Sequence, residues 1–436
     1  MKRRKFLTNI GAASLGVSLF QSAWADDLID SSAPQIIANT TVASGRVVVI
    51  GGGMAGTTAA KYLRLWGGTD VQVTLIEPNA TYYSNIFSNM VLTGERTLAQ
   101  LAFNYNTLKS KYGVTVLANS VTQINPAGRS VKLNNGNSIA YDRLVIAPGI
   151  DFDPLPMSGT AAAQAKVVHA WKAGTQTTSL QAQIKSMTSK DTFILTIPPK
   201  PYRCPPGPYE RACVVADYLK RTKGGGKVII LDANSGIQAE PENFTNAFNN
   251  THKGIITYVP NALLTSIDAN TGTVNTSVGS FKGKVINAIP THKAGNLITQ
   301  SGIGLANAGS GRWAGVNVLS YESTAVPNIH VIGDASSTTQ PKAGHIANAE
   351  AKVCADAIIH LLSGEAVNQS PMTNSACYTP ITNKTASWLS VVFRYDPATG
   401  TMIPTGNGIT ESAGATADNY ETMLKWFSNL MSDTFA

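Results

Sequence analysis

The 436-residue chain is poor in charge and in cysteine, and it contains no long low-complexity tract. Charged residues make up 14% of it, against about 25% in ordinary soluble domains, while its 43% hydrophobic share is normal. This composition excludes a disordered chain. Four cysteines are too few for a disulfide-stapled scaffold. A chain of this length is expected to bury roughly two or three cores.

Two common kinds of site are also missing from the sequence. The six histidines show no metal-ligand spacing and there is no C-x-x-C pair, so we expect no metal centre. C-x-x-C-H is absent as well, so this chain cannot attach a c-type haem itself. His330 falls in an apolar, strand-like run and is expected to be structural, whereas His169 has no assignment.

The N-terminus is basic and carries the pattern of an export signal. Lys-Arg-Arg-Lys at 2–5 precedes a mildly apolar stretch at 10–20 and an Ala-Trp-Ala cleavage pattern at 23–25. The adjacent arginines resemble a twin-arginine signal, with an ordinary secretory signal as the alternative. The apolar stretch is too short to span a bilayer. We expect residues 1–25 to be removed on export to the periplasm. The mature chain is then expected to have no integral membrane segment and no basic run for nucleic acid.

A glycine-rich loop follows the first predicted strand. The apolar run at 46–50 is typical of a strand buried on both faces. Gly51, Gly53 and Gly56 then match G-x-G-x-x-G and open a predicted helix. In that context the pattern predicts a dinucleotide pyrophosphate at the helix N-terminus. Glu77, at the end of the next predicted strand, is placed to bind ribose hydroxyls.

Two later segments favour FAD over NAD as this dinucleotide. Residues 141–149 resemble the strand and turn that close the FAD domain of two-dinucleotide-fold flavoproteins, and residues 330–335 resemble their second FAD signature. The helix predicted at 345–362 is expected to direct its positive N-terminal dipole at the flavin ring and stabilise the reduced anion. The cofactor-binding residues predicted from these segments are Ala147, Gly149, Gly333, Asp334 and Lys342.

The second α/β unit lacks the glycine fingerprint that binds NAD(P)H in disulfide reductases of this architecture. After a predicted strand at 192–197, the chain reads P-P-K-P-Y-R-C-P-P-G-P-Y-E at 198–210. Prolines remove the N–H donors that a pyrophosphate needs. A predicted helix at 209–222, a strand at 227–231 and hairpin signals at 261–289 follow. We therefore expect the electrons to come from a donor other than a nicotinamide.

Two cysteines lie in segments that read as loops. Cys204 lies in the proline-rich turn, where the N-terminus of the following helix lowers a thiol pKa, and Cys377 lies in the C-terminal region. In an exported protein they can pair, and the residues alone leave a structural and a redox-active disulfide equally open. Cys213 and Cys354 lie in predicted helices among small apolar residues and are expected to be buried.

The predicted fold class is α/β, with two Rossmann-like three-layer domains and a C-terminal interface domain. One Rossmann-like domain binds FAD and the other is a degenerate NAD-like domain. The tail from about 371 reads as turn-rich and ends in a helix-like stretch at 420–431. The expected boundaries are 1–25 for the signal, 26–44 for a linker, 45–155 and 291–365 for the FAD domain, 156–290 for the second domain and 366–436 for the C-terminal domain.

One motif in the proline-rich turn is highly specific. R-C-P-P-G-P-Y-E-R-A at 203–212, supported by H-A-W-K-A-G at 169–174, resembles the flavoprotein subunit of flavocytochrome c sulfide dehydrogenase, and the resemblance covers nearly all of the mature chain. It implies a redox-active Cys204–Cys377 disulfide beside the flavin and a proton-transfer role for Glu210. It also implies sulfide as substrate, sulfane sulfur or polysulfide as product, and a separate c-type cytochrome subunit as electron acceptor.

One position departs from that family. Its members bind FAD covalently through a cysteine a few residues after the second strand, and Asn85 stands where that cysteine is expected. Asparagine cannot form the thioether, so we expect non-covalent FAD.

Two alternatives stay open. A sulfide:quinone oxidoreductase would need an amphipathic C-terminal membrane anchor, but residues 420–431 carry Lys425 as their single basic residue. The other alternative is a non-catalytic flavin-binding partner of a cytochrome, which has Asn85 as its support.

Overall fold

The computed structural model describes residues 43–436, which belong to one compact unit. The export signal expected at 1–25 and nearly all of the linker expected at 26–44 lie outside the described residues. The domain boundaries within the unit therefore stay predictions.

The first apolar runs form the parallel centre of an eight-stranded sheet. Gly45–Ile50 pairs in parallel with Val71–Ile76 on one side and with Arg143–Ile146 on the other. Ile329–Val331 returns to pair with Arg143–Ile146, so the strand-like run expected around His330 is confirmed. Across the sheet the strands are Ser336–Ser337, Ala314–Asn317, Glu322–Ser323, Ile329–Val331, Arg143–Ile146, Gly45–Ile50, Val71–Ile76 and Thr115–Leu117.

A second sheet is built on the next apolar runs. Its four parallel strands are, in order, Ile256–Val259, Lys227–Asp232, Thr192–Ile197 and Val285–Ala288. The predicted hairpins form an adjoining sheet of Met157–Ser158, Leu264–Asp268, Thr273–Thr276 and Gly279–Lys282. The smaller sheets are Val121–Asn125 with Ser130–Leu133 and Ser138–Ala140, Ile150–Phe152 with His292–Ala294, and Thr81–Tyr83 with Ala102–Asn104.

Helices pack around these sheets, as buried parallel strands require. The α-helices are Met54–Gly67, Ser88–Thr93, Asn106–Ser110, Ala161–Gln164, Thr175–Lys185, Gly207–Lys223, Pro241–Asn246, Asn296–Thr299, Gly344–Ser363 and Ala417–Phe435. Leu98–Leu101 and Gly333–Ala335 are 3₁₀ turns, and Ala247–Thr251 is a π turn. Cys213 and Cys354 are buried inside two of the helices, as expected.

The C-terminal region is a sheet, so the expectation of a turn-rich tail is wrong. Met372–Pro380 and Ala386–Asp396 form a long antiparallel hairpin, and Thr401–Pro404 and Thr410–Glu411 pair with its second strand. Polar side chains, Thr373, Ser375 and Thr379, take buried positions on the first strand. This hides the hydrophobic alternation by which strands are recognised.

The C-terminal helix packs on the chain's own core. Its buried face comprises Met423, Phe427, Leu430, Met431, Thr434 and Phe435. Phe427 stacks on Phe87 with ring centroids 4.3 Å apart. Within residues 43–436, no helix combines the length and the apolar character needed to cross a membrane.

Candidate active site

A cavity of about 600 Å³ lies at the carboxyl ends of the first sheet's strands. Its wall includes residues that directly follow four of these strands, Gly51, Glu77, Ala147 and Ile332. Ligands bind at this edge of doubly wound sheets. The predicted site residues that line the cavity are Gly51, Gly53, Glu77, Asn85, Ala147, Gly149, Cys204, Glu210, Gly333, Asp334 and Cys377.

The glycine loop leaves room for a ligand beside the helix N-terminus. A Cβ on Gly51, whose φ is +100°, would lie 2.3 Å from the Ala147 carbonyl oxygen. A Cβ on Gly53 would meet nothing nearer than a Tyr82 ring carbon at 3.9 Å, so the space beside it is open. Gly56 faces the loop and not the cavity, because its Cβ would lie 1.9 Å from the Gly51 carbonyl oxygen. It therefore serves the close packing of the helix.

Two carboxylates of this cavity fit an FAD molecule. Asp334 Oδ1 is buried and has no hydrogen-bond partner among the described residues. Burial raises the pKa of Asp334, against the charges of Arg203 and Lys342. A buried acceptor without a donor is costly, and a ribityl hydroxyl would supply the donor. Glu77 accepts a hydrogen bond from the Gly52 N–H at 2.8 Å, which holds its carboxylate beside the glycine loop.

Lys342 was predicted to bind the cofactor, but it does not line the cavity. Instead it supports the turn that carries Asp334. Its Nζ donates to the carbonyl oxygens of Asp334 at 2.9 Å and Ser336 at 2.8 Å. It also lies 3.8 Å from the centroid of the Trp313 ring. Burial lowers the pKa of Lys342 to about 8. The side chain thus fixes the turn that presents Asp334.

Cys204 and Cys377 reach the cavity from different elements. Cys204 has a φ of +59° in the turn before Gly207–Lys223, and its N–H donates to the Lys342 carbonyl oxygen at 2.7 Å. A Cβ on Gly207 would lie 2.8 Å from Cys204 Sγ, so the turn needs glycine there. Cys377 lies on the strand Met372–Pro380, which corrects the expectation of a loop. The two sulfur atoms are separate thiols in this structure, so the disulfide stays a prediction.

Burial is the main cause of the raised pKa values of both thiols. It raises the pKa of Cys204 well above its usual range, and Cys377 and Glu210 add to the effect while Arg203 opposes it. Burial also raises the pKa of Cys377 to about 12. The lowered thiol pKa expected from the helix N-terminus is therefore wrong, because desolvation of the thiolate outweighs the dipole.

Glu210 is held by a network that the sequence did not indicate. Its Oε1 accepts from Asn89 Nδ2 at 2.9 Å, and burial raises the pKa of Glu210 to about 8. Asn89 Oδ1 accepts from Arg211 Nε at 2.8 Å. Arg211 Nη1 also donates to the His169 carbonyl oxygen at 2.7 Å. Asn89 and Arg211 lie 122 residues apart in sequence, so no local pattern connects them.

Arg203 belongs to the R-C-P-P-G-P-Y-E-R-A motif at 203–212, and no role is predicted for it from the sequence. It lines the cavity, and its Nη2 is buried without a partner among the described residues. Its charge lowers the pKa of both Cys204 and Asp334. The guanidinium is thus available to an anion in the cavity, and its position next to Cys204 was the signal that could have revealed it.

Asn85 is part of the cavity wall. Its Oδ1 accepts a hydrogen bond from the Ala173 N–H at 2.8 Å. This bond ties the segment after the second strand to the loop that carries Trp171. How FAD is attached stays a prediction.

Comparison with known proteins identifies the segments around this cavity. Residues 45–195 match the pyridine nucleotide-disulphide oxidoreductase family model. Residues 177–290 match the central domain of the sulfide dehydrogenase [flavocytochrome c] flavoprotein chain. Residues 369–435 match the flavin-binding domain of flavocytochrome c sulphide dehydrogenase, which supports FAD as the cofactor.

Curated relatives match over shorter stretches. The sulfide dehydrogenase [flavocytochrome c] flavoprotein chain of Chlorobaculum thiosulfatiphilum is 48% identical over 46 residues, which are 11% of this chain and 94% of that one. Mitochondrial sulfide:quinone oxidoreductase of Mus musculus is 24% identical over 42% of this chain, and ferroptosis suppressor protein 1 of Taeniopygia guttata is 28% identical over 26% of it. The chain spans 41% and 28% of the lengths of the latter two proteins.

Solved structures share the fold. The sulfide:quinone oxidoreductase of Aquifex aeolicus aligns with a TM-score of 0.70 and 17% identity over 90% of this chain and 91% of that one. The putidaredoxin reductase–putidaredoxin complex aligns with a TM-score of 0.62 and 18% identity, covering 80% and 81% of the two chains. The predicted α/β fold class is confirmed. The two family-specific domains, together with the close match to the Chlorobaculum chain, establish that this chain belongs to the flavoprotein-chain family of flavocytochrome c sulfide dehydrogenase.

Proposed function

We propose that this chain oxidises sulfide with the Cys204–Cys377 pair and bound FAD, and passes the electrons to a separate c-type cytochrome subunit in the periplasm. The observation that carries the proposal is that both cysteines and Glu210 line the cavity whose residues fit FAD. Asp334, Glu77 and the glycine loop would hold the cofactor. When bound, FAD supplies the two-electron acceptor that returns the reduced cysteine pair to the disulfide.

The proposed chemistry at the cysteines is thiol–disulfide exchange. Hydrosulfide attacks one sulfur of the Cys204–Cys377 disulfide. That S–S bond breaks as a new one forms, which leaves a persulfide on one cysteine and a thiolate, with the electron pair, on the other. A second hydrosulfide attacks the outer persulfide sulfur, releases it as a polysulfide anion and leaves the second cysteine as a thiolate. The pair then holds two electrons.

Glu210 is the proposed proton donor and acceptor for this exchange. Burial raises the pKa of Glu210 to about 8, so the carboxyl is protonated near neutral pH. An isolated thiolate in a buried site is costly. A nearby neutral acid that donates its proton to the leaving sulfur lowers that cost.

Sulfide is favoured over NAD(P)H as the electron source. The proline-rich turn follows Thr192–Ile197, where a nicotinamide fingerprint would stand, and it carries Cys204 to the cavity instead. A second candidate function transfers the electrons to a membrane quinone. Against it, Phe427, Leu430 and Phe435 of the C-terminal helix are buried on the chain's own core and are not available to a membrane.

The test is an anaerobic titration of the FAD-loaded protein with sulfide, followed by flavin absorbance, with NADH as the control. We expect sulfide and not NADH to bleach the flavin. Cys204→Ser and Cys377→Ser should abolish the bleaching, and Cys213→Ala, which changes a buried helical cysteine, should retain it. A flavin that resists sulfide would favour the non-catalytic partner. Reoxidation by cytochrome c but not by a short-chain quinone would separate the two acceptors.

We further propose that the FAD is non-covalent, because Asn85 offers no thiol. Acid denaturation followed by filtration should leave the yellow colour in the filtrate. Colour retained with the chain would contradict this. Periplasmic delivery is tested by replacing Arg3 and Arg4 with lysine, which should hold the protein in the cytoplasm.

A further inference from the structure

A second buried carboxyl lies behind Cys377. Glu240 is 2% exposed and has a φ of +50° at the start of the Pro241–Asn246 helix. Its Oε1 accepts from Thr379 Oγ1 at 2.7 Å, and its Oε2 accepts from the Ser387 hydroxyl. The two hydroxyl oxygens lie 2.8 Å apart. Among residues 43–436, no cation forms an ion pair with Glu240, so two hydroxyls stabilise its charge.

One of these hydroxyls borders the cavity. Thr379 lines it and lies two residues after Cys377 on the same strand, so the two side chains share a face. Side chains at this spacing stand about 7 Å apart, a separation that one water molecule can bridge. The negative charge of Glu240 reaches Cys377 and raises its pKa. Burial raises the pKa of Glu240 itself to about 7, so it changes protonation near neutral pH.

We propose that Thr379 and Glu240 form a proton relay for Cys377, in addition to the proton transfer assigned to Glu210. When the Cys377 thiol ionises, its proton passes through a bridging water molecule to Thr379 Oγ1. The original hydroxyl proton of Thr379 then passes to Glu240 Oε1. The S–H bond breaks, an O–H bond forms on Glu240, and the negative charge moves from the carboxylate to the sulfur. The reverse transfer protonates Cys377 when it leaves the disulfide. The role in turnover rests on the proposed function.

The titratable groups around Glu240 are acidic. Glu210 and Cys213 face it from the Gly207–Lys223 helix, Cys377 from its strand and Glu411 from Thr410–Glu411. The charge of Glu411 opposes the ionisation of Glu240. The charge of Glu240 in turn raises the pKa values of Glu210, Cys213 and Cys377. Glu240 acts through Thr379 and is therefore a positioning residue, whose role should affect the pH profile.

The first experiment needs no sulfide. In FAD-loaded Cys204→Ser protein, the alkylation rate of Cys377 by iodoacetamide is measured against pH by mass spectrometry. Adding Glu240→Gln should shift the Cys377 profile to lower pH and speed alkylation at pH 8 about tenfold, because a negative charge is lost. Glu242→Gln, an exposed neighbour on the same helix, is the matched control and should leave the profile unchanged. An unshifted profile in Glu240→Gln would overturn the proposal.

The second experiment measures sulfide-driven flavin reduction in protein that retains both cysteines. Glu240→Gln should slow flavin reduction about tenfold or more, although the Cys377 thiol is more acidic in this variant. It should also remove the change of the reduction rate with pH near pH 7. Thr379→Val should also slow it, and Thr379→Ser, which keeps the hydroxyl, should restore it. Equal rates in Thr379→Val and Thr379→Ser would overturn the relay, and this pair also covers the case in which Glu240→Gln fails to fold. If sulfide does not reduce the flavin of the wild-type protein, the proposed function fails. The alkylation profile then still tests whether the charge of Glu240 acts on the Cys377 thiol.

Discussion

The Glu210 carboxyl is buried and accepts one hydrogen bond, from Asn89 at 2.9 Å. Burial raises its pKa to about 8 although that bond lowers it, so the carboxyl is protonated near neutral pH and loses its proton above pH 8. In its proposed role as proton donor it would be inactive above that pH. The rate of sulfide-driven flavin reduction should therefore fall as pH rises through 8. Glu210→Gln should be about 100-fold slower and lack this fall, and Glu365→Gln, on an exposed loop, should match wild type. A fall of equal size in Glu210→Gln would assign it to another group.

Arg203 presents a buried Nη2 with no partner among the described residues. A charge-assisted hydrogen bond contributes about 1.5–3 kcal/mol, so loss of this donor should weaken binding of an anionic sulfur species roughly 10- to 100-fold. We expect Arg203→Gln to raise the sulfide concentration for half-maximal flavin reduction by that factor, and Arg203→Lys to fall between. Arg394→Gln, at an exposed strand position, is the control. An unchanged concentration dependence in Arg203→Gln would show that the guanidinium serves another ligand.

Residues that act through a local motif were predictable, and those that act through distant partners were not. The loop around Gly51 and the turn around Cys204 are continuous in sequence, and both line the cavity. Glu240 meets Thr379 across 139 residues, so no spacing pattern connects them. Lys342 was expected at the flavin because it precedes a helix, yet the orientation of its side chain depends on the tertiary packing of Trp313.

At the scale of elements, the C-terminal helix connects the chain's end to the cavity wall. Phe427 stacks on Phe87 at 4.3 Å, and both Phe87 and the adjacent Trp426 line the cavity. Phe427→Ala should lower the free energy of unfolding by about 3–5 kcal/mol and speed the release of FAD. Chemical denaturation and flavin fluorescence measure the two effects. Met372→Ala, 61% exposed, should change neither. If FAD release is unchanged in a destabilised Phe427→Ala protein, the C-terminal helix does not support the cavity wall.

Elements with continuous apolar runs were predicted well, because a buried parallel strand needs no alternation. Thr192–Ile197 has the predicted bounds, and Gly207–Lys223 starts two residues before its predicted start. Met372–Pro380 was missed because it buries hydroxyl-bearing side chains, of which Thr379 bonds Glu240. The polar face that hid the strand from sequence analysis is the face that connects it to the proposed relay.

At the scale of the whole molecule, buried acids and buried histidines have opposite effects on the pH dependence of the free energy of unfolding. Burial raises the pKa values of Glu210, Glu240 and Glu350 to about 8, 7 and 8, from 4.5 in the unfolded chain. The folded chain therefore binds more protons than the unfolded chain over that interval. The contribution of these groups to the free energy of unfolding is fully present below pH 4.5 and is lost as pH rises toward 8.

The buried histidines change the free energy of unfolding with pH in the opposite direction. Burial lowers the pKa values of His169, His292 and His330 to about 4, 2 and 4, from 6.5 in the unfolded chain. Below pH 6.5 the unfolded chain takes up protons that the folded chain refuses. Stability from these groups is therefore present above pH 6.5 and is lost as pH falls toward their folded pKa values.

The two sets together predict that thermal stability peaks between pH 4.5 and 6.5 and declines from pH 6.5 to 8.5. Calorimetry of the FAD-loaded protein at constant ionic strength measures this decline. Glu350→Gln should reduce it, because the amide keeps an acceptor for the Gly333 N–H, bonded at 2.7 Å in the wild type, but cannot ionise. Glu365→Gln, whose carboxylate is exposed, should leave the decline as in wild type. A midpoint that rises from pH 6.5 to 8.5 would contradict the buried-acid explanation. An equal decline in wild type and Glu350→Gln would assign it to carboxyls other than Glu350.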